Sequence, residues 1–220
     1  MLRGVFVTGT DTDVGKTVVA AALIHRLRNQ VPVCYWKPIQ TGIEQADDTT
    51  TVAALGACAA EEIFDRGERL RLPLSPHLSA RAAGRTIVVA DLVRLVFSAN
   101  SGQFWVVEGA GGALVPINDV EQMTDLMERL GLAAIVTARS GLGTINHTLL
   151  TLEALRRRRV ELAGVVMVGD PNSENRDAIE RFGAATVLGQ MPRFPALDSQ
   201  ILGAWARSQL DPDGALRRFF

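Results

Sequence analysis

The chain contains only two lysines, Lys16 and Lys37, although its Lys and Arg residues together number 23. Where a sequence otherwise uses Arg for its cations, a retained Lys indicates a position that needs a compact ammonium on a flexible stem. Lys16 lies between Gly15 and Thr17 in a glycine-containing run, and Lys37 follows a short apolar run. Both lysines are therefore candidates for binding an anion.

The residues around Lys16 form a turn between a predicted strand and a predicted helix, reading GTDTDVGKT from Gly9 to Thr17. Such a turn aims several backbone N–H groups and the positive end of the helix at one point, which suits a polyphosphate. There Lys16 reaches the β and γ phosphates, and the Thr17 hydroxyl takes a Mg²⁺ ligand position. Five residues rather than four separate the two glycines, with Thr10 in place of the usual first glycine, and the run still predicts a P-loop.

Acidic residues at two other positions could supply further oxygen ligands. Glu108 ends a predicted buried strand and is followed by the small residues 109–112. A carboxylate at that point binds Mg²⁺ directly or through water, and glycines let the backbone approach a phosphate. Asp47 and Asp48 stand where a helix is predicted to begin, so they offer either a third oxygen ligand or an ordinary helix cap.

Lys37 lies in the run YWKPIQTG, at the end of another predicted strand. Pro38 stops that strand and fixes the turn, so we expect Lys37 to point into the crevice that Lys16 also faces. Two ammonium groups beside one Mg-nucleotide imply more negative charge than ATP alone carries. The sequence therefore predicts a second anionic group next to the nucleotide.

Short apolar runs alternate with amphipathic stretches along the chain. The predicted strands lack polar alternation, as expected for strands buried on both faces, and cover residues 4–8, 32–36, 104–107, 132–137, 162–168 and 186–189. The predicted helices cover residues 17–29, 49–60, 90–100, 122–130, 146–159, 174–182 and 199–210. This alternation predicts an α/β fold with a doubly wound, mostly parallel sheet, helices on both faces and a ligand crevice at the carboxyl ends of the strands.

The sequence also predicts the place of a long connection and the role of an arginine run. Asp65 to Thr86 is the longest irregular connection, and we expect it to lie over the crevice. The arginine run 156–159 is expected to close a helix, where cations suit the negative end of the helix dipole. It has no interleaved aromatic residues, so nucleic-acid binding is the less favoured interpretation.

Length and composition limit the class of protein. With 220 residues and 47% hydrophobic residues, the chain is expected to form a single domain over residues 1–220. A net charge of −1 argues against nucleic acid or an acidic membrane as a partner. The N-terminus lacks the features of a signal peptide and no run of about 18 apolar residues occurs, so we expect a cytoplasmic protein in which Cys34 and Cys58 are reduced thiols.

The runs GTDTDVGKT, YWKPIQTG, SPHLSA, VVEGAGG and GLGTINHT occur in this order between Gly9 and Thr148. In these motifs the chain resembles the dethiobiotin synthetase family. The resemblance implies a homodimeric ligase that uses ATP and Mg²⁺ to convert 7,8-diaminononanoate and CO₂ to dethiobiotin, in biotin biosynthesis. In that family the substrate amine takes up CO₂ as a carbamate, ATP converts it to a carbamic-phosphoric anhydride, and the second amine closes the ureido ring, releasing ADP and phosphate.

The resemblance also implies roles for individual residues. The expected catalytic residues are Lys37, which would hold the carbamate and the transferred phosphoryl group, and Lys16 and Thr12, which would attend the phosphates. The expected Mg²⁺ ligands are Thr17, Asp48 and Glu108. Substrate contacts are expected from Thr41, Pro76, Gly143 and Asn146, with Asn146 reaching the substrate of the partner across a two-fold dimer. Nucleotide contacts are expected from Asp13, Val14, Gly15, Lys16, Thr17, Val18, Asp48, Glu108, Gly109, Ala110, Gly111, Gly169, Asp170, Pro192, Arg193 and Phe194.

Some positions depart from the family pattern or have no direct role in it. Position 13 is Asp where many relatives have Glu, which shortens the reach of that carboxylate. Adenine recognition in the family often uses an Asn-Asp pair where this chain has Gly169 and Asp170. Because this chain lacks the asparagine amide of that pair, residues 192–194 are favoured as base contacts. The same absence predicts a loose preference among nucleoside triphosphates. His77 and His147 are expected to shape the diamine pocket, because carbamate formation needs no imidazole.

Two other P-loop classes are alternatives. An ATP-dependent amide ligase of cobalamin synthesis carries an added glutaminase domain, for which 220 residues leave no room. A dimeric ATP-gated switch of the septum-positioning or chromosome-partition type places a second lysine in the P-loop, where this chain has Asp11. Membrane-binding switches also end in a basic amphipathic helix, whereas residues 211–220 are mixed in charge. The sequence therefore favours the ligase.

Overall fold

The computed structural model describes residues 2–220, and its central feature is a seven-stranded sheet. In chain order the strands are β1 (Arg3–Gly9), β2 (Val33–Trp36), β3 (Ile39–Thr41), β4 (Ile63–Phe64), β5 (Glu68–Leu70), β6 (Phe104–Gly112), β7 (Ala133–Arg139), β8 (Leu162–Val168) and β9 (Val187–Met191). The large sheet has the order β4-β2-β6-β1-β7-β8-β9, and each neighbouring pair in it is parallel. Strands β3 and β5 form a separate two-stranded parallel sheet.

Helices cover both faces of the large sheet. They are α1 (Lys16–Leu27), α2 (Asp48–Leu55), α3 (Pro76–Ala82), α4 (Val89–Ala99), α5 (Met123–Leu130), α6 (Thr144–Arg157), α7 (Ser173–Gly183) and α8 (Ser199–Gln209). Helices α1, α2 and α8 pack on one face, and α4 to α7 pack on the other. The predicted doubly wound, parallel α/β fold is confirmed.

The central strand β1 shows why the strands have continuous apolar runs. Val5 and Val7 are fully buried in the core on the α1 side, and Phe6 is fully buried in the core on the opposite side. Successive side chains of a strand point to opposite faces, and here both faces are covered by helices. A polar residue is therefore expected only at the carboxyl end of such a strand, where the sheet opens to the ligand crevice.

Several helices differ from the predicted spans at their ends. Helix α2 stops at Leu55 rather than residue 60, because Gly56 ends it and Ala57 adopts a left-handed conformation with φ of 44°. Helix α6 begins at Thr144, two residues before the predicted start, because Gly143 takes the left-handed conformation at its N-cap with φ of 89°. In both cases a single backbone conformation sets the boundary, which side-chain periodicity does not report.

The segment 65–86 contains more regular structure than the sequence indicated. It includes β5, which pairs with β3, and α3, which begins at Pro76. The prediction of an irregular connection was therefore wrong in part, because three-residue strands and a seven-residue helix are too short to show a clear period. Its residues 73–76 still line the main cavity, as expected of a segment over the crevice.

The arginine run 156–159 lies at the end of α6 and makes contacts within the protein. Arg156 donates to the carbonyl oxygens of Gly183 and Ala184, and Arg158 forms an ion pair with Asp125 at 2.7 Å. These contacts connect α6 to α7 and to α5. The run therefore has a structural role at a helix end, as the dipole argument predicts.

The C-terminal residues pack against the amino end of the sheet. Phe220 meets Phe104, the first residue of β6, edge to face with ring centroids 5.4 Å apart. Arg218 donates to the carbonyl oxygen of Leu162 at the start of β8. This segment covers the end of the sheet that lies opposite the ligand crevice.

Among residues 2–220, no helix is long and apolar enough to cross a lipid bilayer.

Candidate active site

The phosphate-binding loop joins β1 to α1. Gly15, just before the helix, has a left-handed φ of 99°, which residues with a Cβ rarely adopt. The Lys16 ammonium donates to the carbonyl oxygen of Asp11 at 2.9 Å, so the side chain lies back over the loop. Burial lowers the pKa of Lys16, and the positive charge of Lys37 lowers it further. A phosphate bound in the loop would offset both effects.

Asp47 and Asp48 have different roles, although the sequence left open whether they form a helix cap or supply an oxygen ligand. The Asp47 carboxylate caps α2 by accepting from the backbone N–H groups of Thr49 at 2.8 Å and Thr50 at 3.2 Å. Asp48 is the first residue of the helix, and its Oδ1 accepts from the Thr17 hydroxyl at 3.1 Å. The cap and the candidate ligand are therefore adjacent but different residues.

Glu108 lies at the centre of a buried polar network at the end of β6. Its carboxylate is inaccessible to solvent, and its Oε1 accepts from the Thr17 hydroxyl at 3.0 Å and from Lys37 Nζ at 2.8 Å. Its Oε2 accepts from the Tyr35 hydroxyl at 2.8 Å. Burial raises the pKa of Tyr35 well above its usual value, so that this hydroxyl stays protonated and donates. Each carboxylate oxygen thus has a defined partner.

The Lys37 ammonium lies between the two carboxylates. Its Nζ is 2.7 Å from Asp48 Oδ2 and 2.8 Å from Glu108 Oε1, and it also donates to the carbonyl oxygen of Gly109 at 3.0 Å. Burial disfavours the charged amine, but the two carboxylates outweigh burial and raise the pKa of Lys37. Burial likewise opposes ionisation of Asp48, and Lys37 outweighs it and lowers the pKa of Asp48. The arrangement is a fixed cation beside two fixed anions.

Three oxygen-bearing side chains converge where a hard cation could bind. The Thr17 hydroxyl lies 3.1 Å from Asp48 Oδ1 and 3.0 Å from Glu108 Oε1. Mg²⁺ is usually held by one or two carboxylates together with phosphate oxygens and water. Within residues 2–220, no group of three or more His, Cys, Asp or Glu side chains has an arrangement suited to a metal. The donor set therefore fits Mg²⁺ shared with a nucleotide, rather than a metal held by protein alone.

A cavity of about 740 Å³ opens over this network. It is lined by thirteen of the predicted site residues, namely Thr12, Asp13, Gly15, Lys16, Thr17, Val18, Lys37, Thr41, Asp48, Pro76, Glu108, Ala110 and Gly111. They come from the P-loop, the turn after β2, the start of α2, the start of α3 and the end of β6. The carboxyl ends of the strands thus form one crevice with both lysines in it.

Nine predicted residues lie outside that lining, namely Val14, Gly109, Gly143, Asn146, Gly169, Asp170, Pro192, Arg193 and Phe194. Gly169 and Asp170 follow β8, and residues 192–194 follow β9, which is the neighbouring strand. The Val168 side chain lies against Gly15, so this corner of the sheet borders the P-loop. The structure therefore groups the candidate adenine contacts beside the phosphate loop but outside the main cavity.

Three contributors to the site were missed from the sequence. Gln40 accepts from the backbone N–H of Asp48 at 3.2 Å and lines the cavity. Arg139, at the end of β7, forms an ion pair with Asp11 of the P-loop at 3.1 Å. Tyr35 is the third, through its hydrogen bond to Glu108. Gln40 and Tyr35 both lie in the run that carries Lys37, and alternation along the strand places Tyr35 and Lys37 on one side of it.

The two histidines considered for the diamine pocket do not line the main cavity. His77 contacts the Ser75 hydroxyl through Nδ1 at 3.1 Å and lines a separate cavity of about 50 Å³. His147 is exposed on α6. In the described chain neither imidazole reaches the network around Glu108. The pocket-shaping role expected of the two residues therefore has no supporting contact in the main cavity.

Comparison with solved structures identifies proteins that share this fold. A ParA-family ATPase from Chlorobium tepidum superimposes with a TM-score of 0.61 at 13% identity, over 97% of this chain and 99% of that one. The MinC:MinD cell-division complex of Aquifex aeolicus gives a TM-score of 0.57 at 12% identity, over 98% of this chain and 95% of the matched chain. At such identities the likeness is one of fold.

Comparison by sequence is more specific. A family model described as an AAA domain matches residues 3–200. The chain is 54% identical to an ATP-dependent dethiobiotin synthetase of Paramagnetospirillum magneticum over 196 residues, which are 89% of this chain and 91% of that protein. It is 45% identical to the corresponding protein of Agrobacterium fabrum, over 89% of each chain. With two lysines and two carboxylates meeting beside the P-loop, and with these relatives over most of its length, the chain belongs to the family of ATP-dependent dethiobiotin synthetases.

Proposed function

We propose that the protein catalyses the ATP-dependent carboxylation and ring closure of 7,8-diaminononanoate to dethiobiotin. The observation that carries this proposal is the position of Lys37, a buried ammonium beside Asp48 and Glu108 that faces the same cavity as the P-loop lysine. A nucleotide-gated switch carries its second lysine inside the P-loop, where this chain has Asp11, whereas Lys37 follows β2. A carbamate that becomes a mixed anhydride supplies the additional negative charge that Lys37 would hold.

The reaction consists of three bond-forming steps. One substrate amine adds to CO₂ and loses a proton to give a carbamate, whose oxygen attacks the γ-phosphorus of ATP and displaces ADP. The second amine then attacks the carbamate carbon, closes the ureido ring and releases phosphate. Lys37 would neutralise the carbamate and the transferred phosphoryl group, with the Thr41 hydroxyl donating to the same oxygens and Pro76 bordering the substrate. Such chemistry depends on positioning and charge neutralisation and uses no protein nucleophile.

The phosphates and Mg²⁺ would be held by the P-loop side of the cavity. Lys16 and Thr12 would contact the phosphates, and Thr17, Asp48 and Glu108 would hold Mg²⁺. Bound there, the metal neutralises charge that develops on the phosphates. Backbone N–H groups at the start of α1 would point at the same oxygens. Each of these groups is fixed by β1, α1, α2 or β6 before any ligand arrives.

The nucleoside would extend from the P-loop toward the ends of β8 and β9. Gly169, Asp170 and residues 192–194 follow those strands, and Arg193 and Asp170 are exposed. No asparagine stands beside Asp170 to hydrogen-bond the exocyclic amine and ring nitrogen of adenine, so we propose that base selection is loose. Competition among ATP, GTP and CTP for the same turnover would measure this preference.

The function is tested by supplying the pure protein with ATP, bicarbonate and 7,8-diaminononanoate and analysing the products by mass spectrometry. We expect dethiobiotin, ADP and phosphate in equal amounts, with ATP consumption dependent on the diamine. ATP hydrolysis at the same rate with and without diamine, and no ureido product, would favour a nucleotide-gated switch instead.

A cytoplasmic location is proposed because ATP is available there and both cysteines are free thiols.

We propose that the working unit is a homodimer with Asn146 completing the substrate site of the partner. Asn146 is exposed on the first turn of α6, outside the cavity of its own chain. Leu142 and Leu150, before and after it, are exposed apolar side chains that a second copy could cover.

Asn146→Ala is expected to weaken diamine binding by about tenfold or more while ADP affinity stays unchanged, because Asn146 would touch only the substrate. Isothermal calorimetry with each ligand checks both expectations. Asn29→Ala, an exposed asparagine at the end of α1, is the matched control and should change neither affinity. A monomer in sedimentation experiments that remains fully active at assay concentration would contradict the shared site.

A further inference from the structure

Tyr35 is the only tyrosine of the chain, and its side chain is fully buried beneath the active site. Its ring packs in the core on the α1 side of the sheet, among residues that include Val19 and Leu23. Its hydroxyl reaches out of this apolar surrounding and donates to Glu108 Oε2 at 2.8 Å. The residue therefore joins the apolar core to the polar network at the cavity floor.

The pairing of β2 with β6 produces this contact. Tyr35 lies directly opposite Val106 in the parallel register, and Glu108 is two residues further along β6 on the same face. A diagonal neighbour at that spacing is within reach of a long aromatic side chain but not of a short one. Tyrosine thus spans the distance from a core position of β2 to the carboxyl end of β6.

The two oxygens of Glu108 face different partners. Oε1 meets the Thr17 hydroxyl and Lys37 Nζ on the cavity side, and Oε2 meets the Tyr35 hydroxyl on the core side. Rotation of the carboxylate would exchange the two oxygens, and the phenol donates to only one of them. The two oxygens are chemically equivalent, so a donor fixed on the core side sets the orientation of the carboxylate plane, with one oxygen toward the core and the other toward the cavity.

We propose that Tyr35 is a positioning residue that holds the Glu108 carboxylate in one orientation, with a single oxygen directed at the cation and the phosphates. This inference rests on the metal site in the proposed function and extends it by one residue. Groups that orient a metal-binding carboxylate commonly contribute 10- to 100-fold to metal affinity or activity. If Glu108 served only as a hydrogen-bond acceptor for the buried Tyr35 hydroxyl, removing that hydroxyl would not change metal affinity or activity.

The test compares the protein with its Tyr35→Phe variant, which keeps the ring and removes the hydroxyl. ADP affinity is measured by calorimetry with and without Mg²⁺. We expect unchanged affinity without the metal and a Mg²⁺-dependent gain that is about tenfold smaller in the variant. In turnover, kcat should fall by about tenfold while the KM for the diamine stays the same.

Two comparisons distinguish a role in orienting Glu108 from the general effect of losing a buried hydroxyl. Thr124→Val removes a fully buried hydroxyl of α5 that has no hydrogen-bond partner among the described residues, and it should match the parent in every readout. In a Glu108→Gln background, Tyr35→Phe should cause no additional loss of the Mg²⁺ effect, because Tyr35 acts through the Glu108 carboxylate.

A spectroscopic measurement on the parent does not depend on the variant folding. With ¹³C at the tyrosine Cζ the chain gives one resonance, since it has one tyrosine. That resonance should shift when Mg²⁺ is added to the ADP complex, because the hydrogen bond to Glu108 weakens as the carboxylate binds the metal. The inference is overturned if Mg²⁺ raises ADP affinity but the tyrosine resonance does not shift. It is also overturned if the Tyr35→Phe variant retains the full effect of Mg²⁺ on ADP affinity. Absence of any Mg²⁺ effect in the parent overturns the proposed metal site as well.

Discussion

Lys37→Ala is expected to slow formation of the ureido product by about 10² to 10³-fold, while ATP affinity stays within a few-fold of the parent. Lys37 Nζ lies beyond the P-loop, against Asp48 and Glu108, whereas the phosphates are expected to bind to the loop itself. A preorganised charge that acts on the transition state contributes about 2.7–4 kcal/mol, or about 10² to 10³ in rate. Product analysis by mass spectrometry and nucleotide binding by calorimetry measure the two quantities separately.

Two related variants serve as controls. Lys16→Ala should impair nucleotide binding itself, because Lys16 belongs to the P-loop. Lys37→Arg should restore little activity, because a planar guanidinium does not replace a compact ammonium packed between Asp48 and Glu108. Turnover of diamine at the parental rate by Lys37→Ala would show that the anion is held elsewhere and that the site has been misassigned.

Lys37→Ala should also lower the stability of the ligand-free protein. Removing one partner of a buried ion pair leaves uncompensated charge and typically costs about 3–5 kcal/mol. Glu108 is inaccessible to solvent, and in the variant its carboxylate would lose its cationic neighbour. Thermal unfolding without ligand should therefore give a lower Tm for the variant than for the parent. The rise in Tm on addition of Mg²⁺ and nucleotide should be similar in the two proteins, because nucleotide affinity is nearly unchanged. A variant with the parental Tm in the absence of ligand would contradict the stabilising role of the ion pair.

Glu108→Gln is expected to lower phosphoryl transfer by about 10²-fold or more and to remove most of the dependence on Mg²⁺. The substitution preserves the shape of the side chain but replaces a charged oxygen that faces Thr17 and Lys37 with a neutral group. Loss of one preorganised electrostatic group at a reacting phosphate has an effect of this order. Rates measured over a range of Mg²⁺ concentrations give both the loss and the metal dependence.

The matched control for this variant is Asp119→Asn, which neutralises an exposed carboxylate paired with Arg81 on the surface. Exposed ion pairs contribute little, so the control should leave activity and Mg²⁺ dependence unchanged. If Glu108→Gln retained the parental Mg²⁺ dependence, Glu108 would have no role in holding the metal, and Asp48 would be the remaining carboxylate at that point.

Local signals in the sequence were sufficient for the fold class and for most of the cavity. The P-loop is a contiguous run whose turn and helix N-terminus form without distant contacts, so Lys16 and Thr17 were identified directly. Buried parallel strands are marked by continuous apolar runs, and their carboxyl ends meet at one edge of the sheet. That rule predicts from the sequence alone that Lys37 and Glu108 lie in one crevice.

The short elements and exact boundaries were not predictable in the same way. The two-stranded sheet of β3 and β5 depends on pairing between segments whose own patterns are too short to be distinctive. The end of α2 depends on the left-handed Ala57, and the start of α6 depends on the left-handed Gly143. Side-chain periodicity reports neither conformation, and the one at Ala57 is rare for a residue with a Cβ.

The sequence by itself thus determined that a P-loop, two lysines and hard oxygen ligands lie at one end of a parallel sheet, because local motifs and strand patterning encode those features. Only the tertiary structure decided which groups pair there. Lys37 contacts Glu108, which lies 71 residues away, and Tyr35 reaches Glu108 across the pairing of β2 with β6. The choice between Asp47 as cap and Asp48 as candidate ligand depends likewise on how α2 docks beside the P-loop. Contacts of this kind follow from strand register and helix docking, which bring together side chains that no local pattern connects.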